Sequence, residues 1–135
     1  MNYQSPAAVC EAFARAIHSL DTANDSDPDD AYLRARPYLT FEKYAKVTAQ
    51  AKTRTDPEWE TWKQHKAKTQ LAMHPFAGDG GIDQGQRGHS VIVDVTPIGR
   101  DGWIGPTASY AVHCGLNTQN GQWRVADYDV ESLSS

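Results

Sequence analysis

Polar and apolar residues alternate through the last third of the chain, and short turn sequences interrupt the alternation. The alternating runs cover residues 88–95, 106–116 and 122–130, and the turns between them are Asp101-Gly102 and Asn120-Gly121. Asn-Gly between alternating residues is the strongest short-range hairpin signal, because both turn residues must take a positive φ. The pattern therefore predicts a three-stranded antiparallel meander.

The first half of the chain has a helical pattern instead. In residues 6–20 the side chains of Cys10, Phe13, Ala14 and Ile17 fall on one face, which is the spacing of a helix that packs on a core. Further helices are predicted over residues 28–35, from residue 41 onward, and over 57–68.

Three of these helices are predicted to begin in the same way, with a capping residue followed by proline. The cap side chain accepts a free backbone N–H of the first turn, and proline has no N–H to lose there. The three pairs are Ser5-Pro6, Asp27-Pro28 and Asp56-Pro57. Thr40 is predicted to cap the helix that begins at residue 41.

A fourth strand is predicted over residues 71–76, before a loop rich in glycine. Pro75 confines this strand to a sheet edge or a bulge, because proline cannot donate to the ladder. In the last strand the apolar residues Val125 and Tyr128 are an odd number of positions apart, so a regular strand would point them to opposite faces. A bulge near Ala126 is expected to bring them to one face.

Helices followed by a meander indicate an α+β fold. We expect one domain over residues 1–135, with three or four N-terminal helices packed on the concave face of a curled four-stranded antiparallel sheet. Phe13, Ile17, Val112 and Trp123 are expected to be buried together.

Composition limits the class of function. The chain is 39% apolar with a formal charge of −4, which indicates a soluble domain without general affinity for nucleic acid. No stretch reaches the roughly 20 apolar residues that cross a bilayer, and no signal peptide is evident. Two alternatives stay open. The chain is a whole cytoplasmic protein, or it is a domain excised from a longer protein with an upstream membrane anchor.

The two cysteines lie on surfaces that are expected to meet. Cys10 is on the apolar face of the first helix, and Cys114 is on the apolar face of the third strand. If that helix covers the sheet, the cysteines approach each other and form a candidate disulfide. Free buried cysteines are the alternative.

No sequence pattern points to catalysis, a metal or a cofactor. The five histidines are scattered without the spacing of metal ligands. An acid–base pair in a pocket would have to come from titratable side chains brought together by the fold. The candidates are Asp94, Asp127, Asp129, Tyr38, Tyr44 and His113.

Several short sequence segments resemble those of a known superfamily. They are Ala12-Phe13, the segment Arg-Ala-Arg-Pro-Tyr-Leu-Thr at 34–40, Trp59 with Trp62, and Gly-Gln-Trp-Arg-Val-Ala at 121–126. In this order they resemble the cone-shaped nuclear transport factor two-like (cystatin-like) superfamily. Within it the chain is most similar to extracytoplasmic domains of actinobacterial conjugation and type IV secretion scaffold proteins.

The resemblance implies a non-enzymatic scaffold domain that contacts other proteins of an envelope secretion complex. One alternative is that the domain also forms a homo-oligomer. Such domains follow a transmembrane anchor, which this chain lacks. Trp59, Trp62, Lys63 and Lys66 are the candidate protein-contact residues, and at least one of the two tryptophans is expected to be buried against the sheet. The same superfamily holds small-molecule-binding proteins and ketosteroid-isomerase-like enzymes, which is the alternative function. A scaffold would fill the cone, whereas an enzyme would leave a cavity with convergent polar groups.

Overall fold

The structure, a computed structural model, describes residues 1–26, 28–50, 57–76 and 87–133. The helices are α1 (Pro6–His18), α2 (Asp30–Arg34), a 3-10 turn (Arg36–Tyr38), α3 (Phe41–Gln50) and α4 (Pro57–Gln64). The strands are β1 (Lys68–Pro75), β2 (Arg87–Ile98), β3 (Ala108–Gln119) and β4 (Gln122–Ser132).

The four strands form one antiparallel sheet in the order β1-β2-β3-β4. The predicted α+β class and the predicted meander are therefore confirmed. Asn120 and Gly121 form the last hairpin turn with φ of 54° and 77°. The Asn-Gly pair is suited to this turn because both residues tolerate the left-handed region.

A bulge lies where the alternation of β4 changes parity. Leu116 pairs with Val125 and Gly115 pairs with Asp127, so Ala126 is the extra residue. The bulge allows both Val125 and Tyr128 to contribute to the core on the side of α1. The predicted bulge is confirmed, and it adds local twist to the sheet.

Two of the predicted helix caps, Ser5 and Thr40, lie among the described residues, and both are confirmed. The Ser5 hydroxyl accepts the N–H of Ala8 at 3.1 Å, and the Thr40 hydroxyl accepts the N–H of Lys43 at 3.1 Å. The predicted caps Asp27 and Asp56 lie outside the described residues. The second helix begins at Asp30 rather than at residue 28.

The predicted helix over residues 57–68 is too long, because α4 ends at Gln64. Lys66 takes a φ of 51°, in the left-handed region. The N–H of Ala67 donates to the carbonyl of Trp62 at 2.9 Å, and the N–H of Lys66 donates to the carbonyl of Lys63 at 3.1 Å. This is the Schellman arrangement that ends helices, and it lets β1 begin at Lys68. The predicted edge position of this strand is confirmed, but β1 spans Lys68–Pro75 rather than residues 71–76.

The main core lies between α1 and the sheet. Val9, Phe13 and Ile17 of α1 pack with the inward residues of β2, β3 and β4. The rest of the core facing α1 consists mainly of Val91, Val93, Val95, Val112, Leu116 and Val125.

Trp123 was expected in this core, but it is only partly buried at the core margin. It follows the last hairpin turn, at an end of the sheet that the N-terminal segment covers. There its N–H donates to the carbonyl of Tyr3 at 2.9 Å. A side chain at the end of a strand has neighbours on fewer sides than one at its centre, so Phe13 replaces Trp123 as the central aromatic residue of the core.

A disulfide joins α1 to the sheet. It links Cys10 to Cys114, with the two Cα atoms 5.9 Å apart and a sequence separation of 104. The sequence predicted that these cysteines face one core, and the structure places both in it. The bond fixes the helix against the centre of the sheet.

Replacing both cysteines by serine is expected to lower the free energy of unfolding by about 4–5 kcal/mol, because the bond closes a long loop in the unfolded chain. Urea denaturation followed by circular dichroism measures this difference. A reductant should lower the stability of the wild-type chain and leave the double variant unchanged. Equal denaturation midpoints for the oxidised wild type and the variant would contradict the prediction.

Candidate functional site

Trp59 and Trp62 are both buried, where the sequence predicted burial of at least one of these two candidate protein-contact residues. Their exposed fractions are 3% and 9%, and they form a second small core with Ala67, Leu20 and Trp103. The indole N–H of Trp59 donates to the carbonyl of Ser26 at 3.2 Å. Since α4 has only 8 residues, these two indoles supply most of the apolar surface that attaches it to the fold.

The two predicted contact lysines remain on the surface. Lys63 is exposed and lies 3.1 Å from the carboxylate of Glu60, one turn earlier in α4. Lys66 is exposed in the turn that ends the helix. Their role in binding a partner stays a prediction.

The structure separates the residues that were candidates for acid–base chemistry. Asp94 lies on the sheet face opposite α1, where its carboxylate accepts the Ser109 hydroxyl and contacts His74 Nε2, both at 2.6 Å. Hydrogen bonds from Ser109 and His74 hold the pKa of Asp94 below its usual value. Asp94 is therefore ionised at neutral pH and faces solvent rather than a cavity.

The other candidates are also apart. Asp127 is exposed and lies 3.3 Å from Lys43 Nζ. His113 bridges Ser90, at 2.8 Å from Nδ1, and Glu131, at 3.1 Å from Nε2, across β2, β3 and β4. Asp129 pairs with His113 in the β3–β4 ladder. The contacts of His113 link neighbouring strands on the open face of the sheet, whereas Asp127 contacts α3.

Tyr38 and Tyr44 lie on the other side of the fold from Asp94. Both pack against the main core near α1 and α3, and the guanidinium of Arg36 lies 5.4 Å from the Tyr44 ring centre. Asp94 is on the opposite face of the sheet, so the fold does not pair Asp94 with either tyrosine.

Among the described residues we consider two concave regions as candidate binding sites. The first, which we call the α1–β1 groove, has a volume of about 740 Å³. It runs between the exposed side of α1 and the end of β1. Its walls are mainly apolar, with polar side chains at the rim. The lining includes Ala8, Ala12, Ala16, Met73, Pro75 and Phe76, with Glu11, Arg15, His74 and His89.

The second region, which we call the aromatic pocket, has a volume of about 300 Å³. It lies where the end of α1 meets α2, α4 and the sheet. The lining includes Ile17, His18, Tyr32, Trp59, Trp62, Tyr110 and Val130, and the exposed Glu58 lies at the rim. The volume is at the lower end of the range for small-molecule sites.

His18 is a titratable side chain of this pocket. Its ring stacks on Tyr110 with 5.0 Å between centres and 22° between planes. Nδ1 lies 3.0 Å from the carbonyl of Ala14, which accepts a hydrogen bond when Nδ1 carries the proton. Burial lowers the pKa of His18 below 6.5, and the Ala14 contact offsets this in part. The neutral ring then presents Nε2 as an acceptor.

The sequence analysis did not single out His18 or Tyr32. His18 lies four residues after Ala14, so the apolar periodicity of α1 already placed it on the core side. Tyr32 is in a helix of 5 residues, which is too short for a clear pattern. Only packing brings these side chains together.

Comparisons of the chain with protein-family models, with curated proteins and with solved structures found no match. Within the described ranges, no cluster of three or more histidine, cysteine or acidic residues has the arrangement of a metal site. None of the helices in the described part of the chain is long and apolar enough to cross a membrane.

The partly buried His18 is expected to make stability depend on pH. Since its folded-state pKa lies below the value of about 6.5 in an unfolded chain, the unfolded state binds more protons as the pH falls below 6.5. The contribution of the neutral His18 ring to the free energy of unfolding should be fully present above pH 6.5 and should decrease below it. His18→Gln should flatten that decrease. Urea denaturation at pH 5–8 measures this effect.

His74→Gln is the matched control, because His74 is exposed on the open face of the sheet. An NMR titration of the His18 ring should give a pKa below 6.5. A pKa at or above 6.5 would contradict the assignment of a buried neutral imidazole.

Proposed function

We propose that this chain is a nuclear transport factor two-like domain that acts as a non-enzymatic scaffold in a conjugative transfer (type IV secretion-like) envelope complex. The observation that carries the proposal is the α1–β1 groove, an open apolar surface of about 740 Å³ beside an edge strand. Such surfaces are typical of sites that receive another protein.

The disulfide supports a location outside the cytoplasm. Cys10 and Cys114 are joined in the centre of the fold, and structural disulfides persist mainly in oxidising compartments. A domain of this kind would be held at the envelope by a membrane anchor. Its partners would be other proteins of the envelope complex.

The dispersal of the titratable groups supports binding over catalysis. General acid–base chemistry requires two groups within hydrogen-bonding reach of one substrate. Asp94 faces the open side of the sheet, whereas the tyrosine candidates lie on the other side, near α1 and α3. An isomerase would need a carboxylate and a donor in one apolar cavity.

A groove-blocking variant tests the scaffold proposal. Ala12 lines the groove, so Ala12→Arg should reduce the capture of conjugation-apparatus proteins from cross-linked donor cells at least tenfold, and conjugation frequency should fall with it. Capture with a tagged full-length protein, followed by mass spectrometry, measures this. Ala45→Arg, on the exposed surface of α3, is the matched control.

Charge reversal at Lys63 and Lys66 adds a second test of the same proposal. If these lysines contact the partner, the double variant should weaken capture and keep the thermal stability of the wild type. The scaffold proposal is rejected if no conjugation-apparatus protein is captured, or if deleting the domain leaves conjugation frequency unchanged.

The aromatic pocket supports a second candidate function, the binding of a small apolar molecule. Four aromatic rings and His18 surround about 300 Å³, enough for one or two fused rings. Tyr110 and Tyr32 carry hydroxyl groups, and Nε2 of neutral His18 is an acceptor, so a planar ligand with one N–H or hydroxyl donor fits the lining best.

Indole is a suitable probe for this pocket. We expect millimolar indole to shift the NMR signals of Tyr110 and His18, and Val130→Phe to weaken binding at least tenfold by filling the space. Asp129→Asn, at the neighbouring position in the β3–β4 ladder, should leave binding unchanged. No shift at a saturating indole concentration would exclude this second function.

A further inference from the structure

The free edge of β1 is covered over only its first residues. The N–H of Thr69 donates to the carbonyl of Leu20 at 2.9 Å, and the N–H of Thr22 donates to the carbonyl of Ala67 at 3.0 Å. A bridge between Asp21 and Lys68 completes this contact. The segment before α2 therefore acts as a short added strand that stops beside Thr69.

Beyond Thr69 the outer edge of β1 is open in the part of the chain that the structure describes. Backbone groups of alternate residues point to opposite sides of a strand, so the outward N–H of Thr69 places those of Leu71 and Met73 outward too. Neither N–H has a partner among the described residues. Pro75 offers a carbonyl but no N–H, so the pairing sites end there.

The same alternation directs side chains into the α1–β1 groove. Leu71 and Met73 face α1 and pack against the main core. A strand added to this edge would lie about 4.8 Å from β1 and would send every second side chain to the same face. Those side chains would enter the groove, where Ala8, Ala12 and Ala16 leave room beside α1.

Charged side chains on the groove wall further restrict which segment can be added to β1. Arg15 is exposed on α1, and none of the described residues forms an ion pair with it. Glu11, one turn earlier, lies 3.4 Å from His89 Nε2. The groove therefore presents an available cation beside an acid that already has a partner.

We propose that β1 and the α1–β1 groove accept an extended segment of a partner protein by strand addition. The segment has about five residues, matched to the open edge. It has apolar side chains at alternate positions and one carboxylate that faces Arg15. This inference rests on the proposed scaffold function, and it names the chemistry of the partner.

The opposite edge of the sheet is a poorer acceptor. The N–H of Thr40 donates to the carbonyl of Val125 at 3.0 Å, and Leu39 bridges to the same residue. The bulge at Ala126 interrupts the regular spacing next to this contact. Strand addition requires an uninterrupted run of free backbone groups, and β1 provides a better one.

A peptide scan tests the proposal. The probes are acetylated and amidated hexapeptides in which valine and serine alternate, with glutamate replacing one valine at each position in turn. We expect one member to bind and to protect the amides of Leu71 and Met73 from hydrogen exchange at least tenfold, as followed by NMR on the intact chain.

Substitutions at Met73 separate backbone pairing from side-chain contact. Met73→Pro removes the outward N–H and no bond to β2, so the fold should persist while peptide affinity falls at least tenfold. Met73→Ala keeps the N–H and should lose less affinity. Circular dichroism and the melting temperature check that both variants are folded.

The charge prediction has its own matched pair. Arg15→Glu should weaken binding of the glutamate peptide and favour a peptide that carries lysine at that position. Lys46→Glu, on the exposed surface of α3, should change neither. Equal binding of both peptides by the wild type and by Arg15→Glu would overturn the assignment of a carboxylate-bearing partner.

The outcomes distinguish this inference from the scaffold proposal. If conjugation-apparatus proteins are captured and Met73→Pro binds them as tightly as Met73→Ala, the scaffold proposal stands and strand addition is wrong. If a peptide pairs with β1 but no such protein is captured, strand addition stands and the scaffold proposal is wrong. Protection of Leu71 and Met73 that rises with protein concentration, without peptide, would identify a second copy as the occupant and overturn the proposal.

Discussion

The position of α1 against the sheet is the constraint on which the rest of the structure depends. Phe13 and Ile17 pack on the inward valines of the sheet, and the bond between Cys10 and Cys114 ties the helix to β3. Hydrophobic burial alone favours contact between two apolar faces without fixing their angle, because it is not directional. A covalent link near the middle of the contact restricts how far the helix can slide or rotate.

Both candidate binding regions are consequences of that position. On one side of α1, Ala12 and Ala16 are too small to fill the space above β1, which leaves the α1–β1 groove. At the end of α1, Ile17 and His18 form one wall of the aromatic pocket. One helix therefore separates a groove suited to an extended chain from a pocket suited to a small planar molecule.

The two edges of the sheet differ because the connections of the fold cover them unequally. Thr40 pairs with Val125 beside the bulge of β4, and the segment before α2 covers β1 only as far as Thr69. Exposed strand edges favour pairing with another chain. The groove next to the open edge adds side-chain selectivity, so backbone pairing and side-chain recognition act at one place.

Local patterns in the sequence determined the class of fold. Alternation and the Asn120-Gly121 turn predicted the meander, the change of parity predicted the bulge at Ala126, and the shared apolar faces placed Cys10 near Cys114. The tertiary structure alone decided that Trp59 and Trp62 are buried and that the candidate acids lie apart. It also decided where the groove and the pocket form. Burial and proximity depend on how distant elements pack, and a local pattern specifies only which face a side chain occupies.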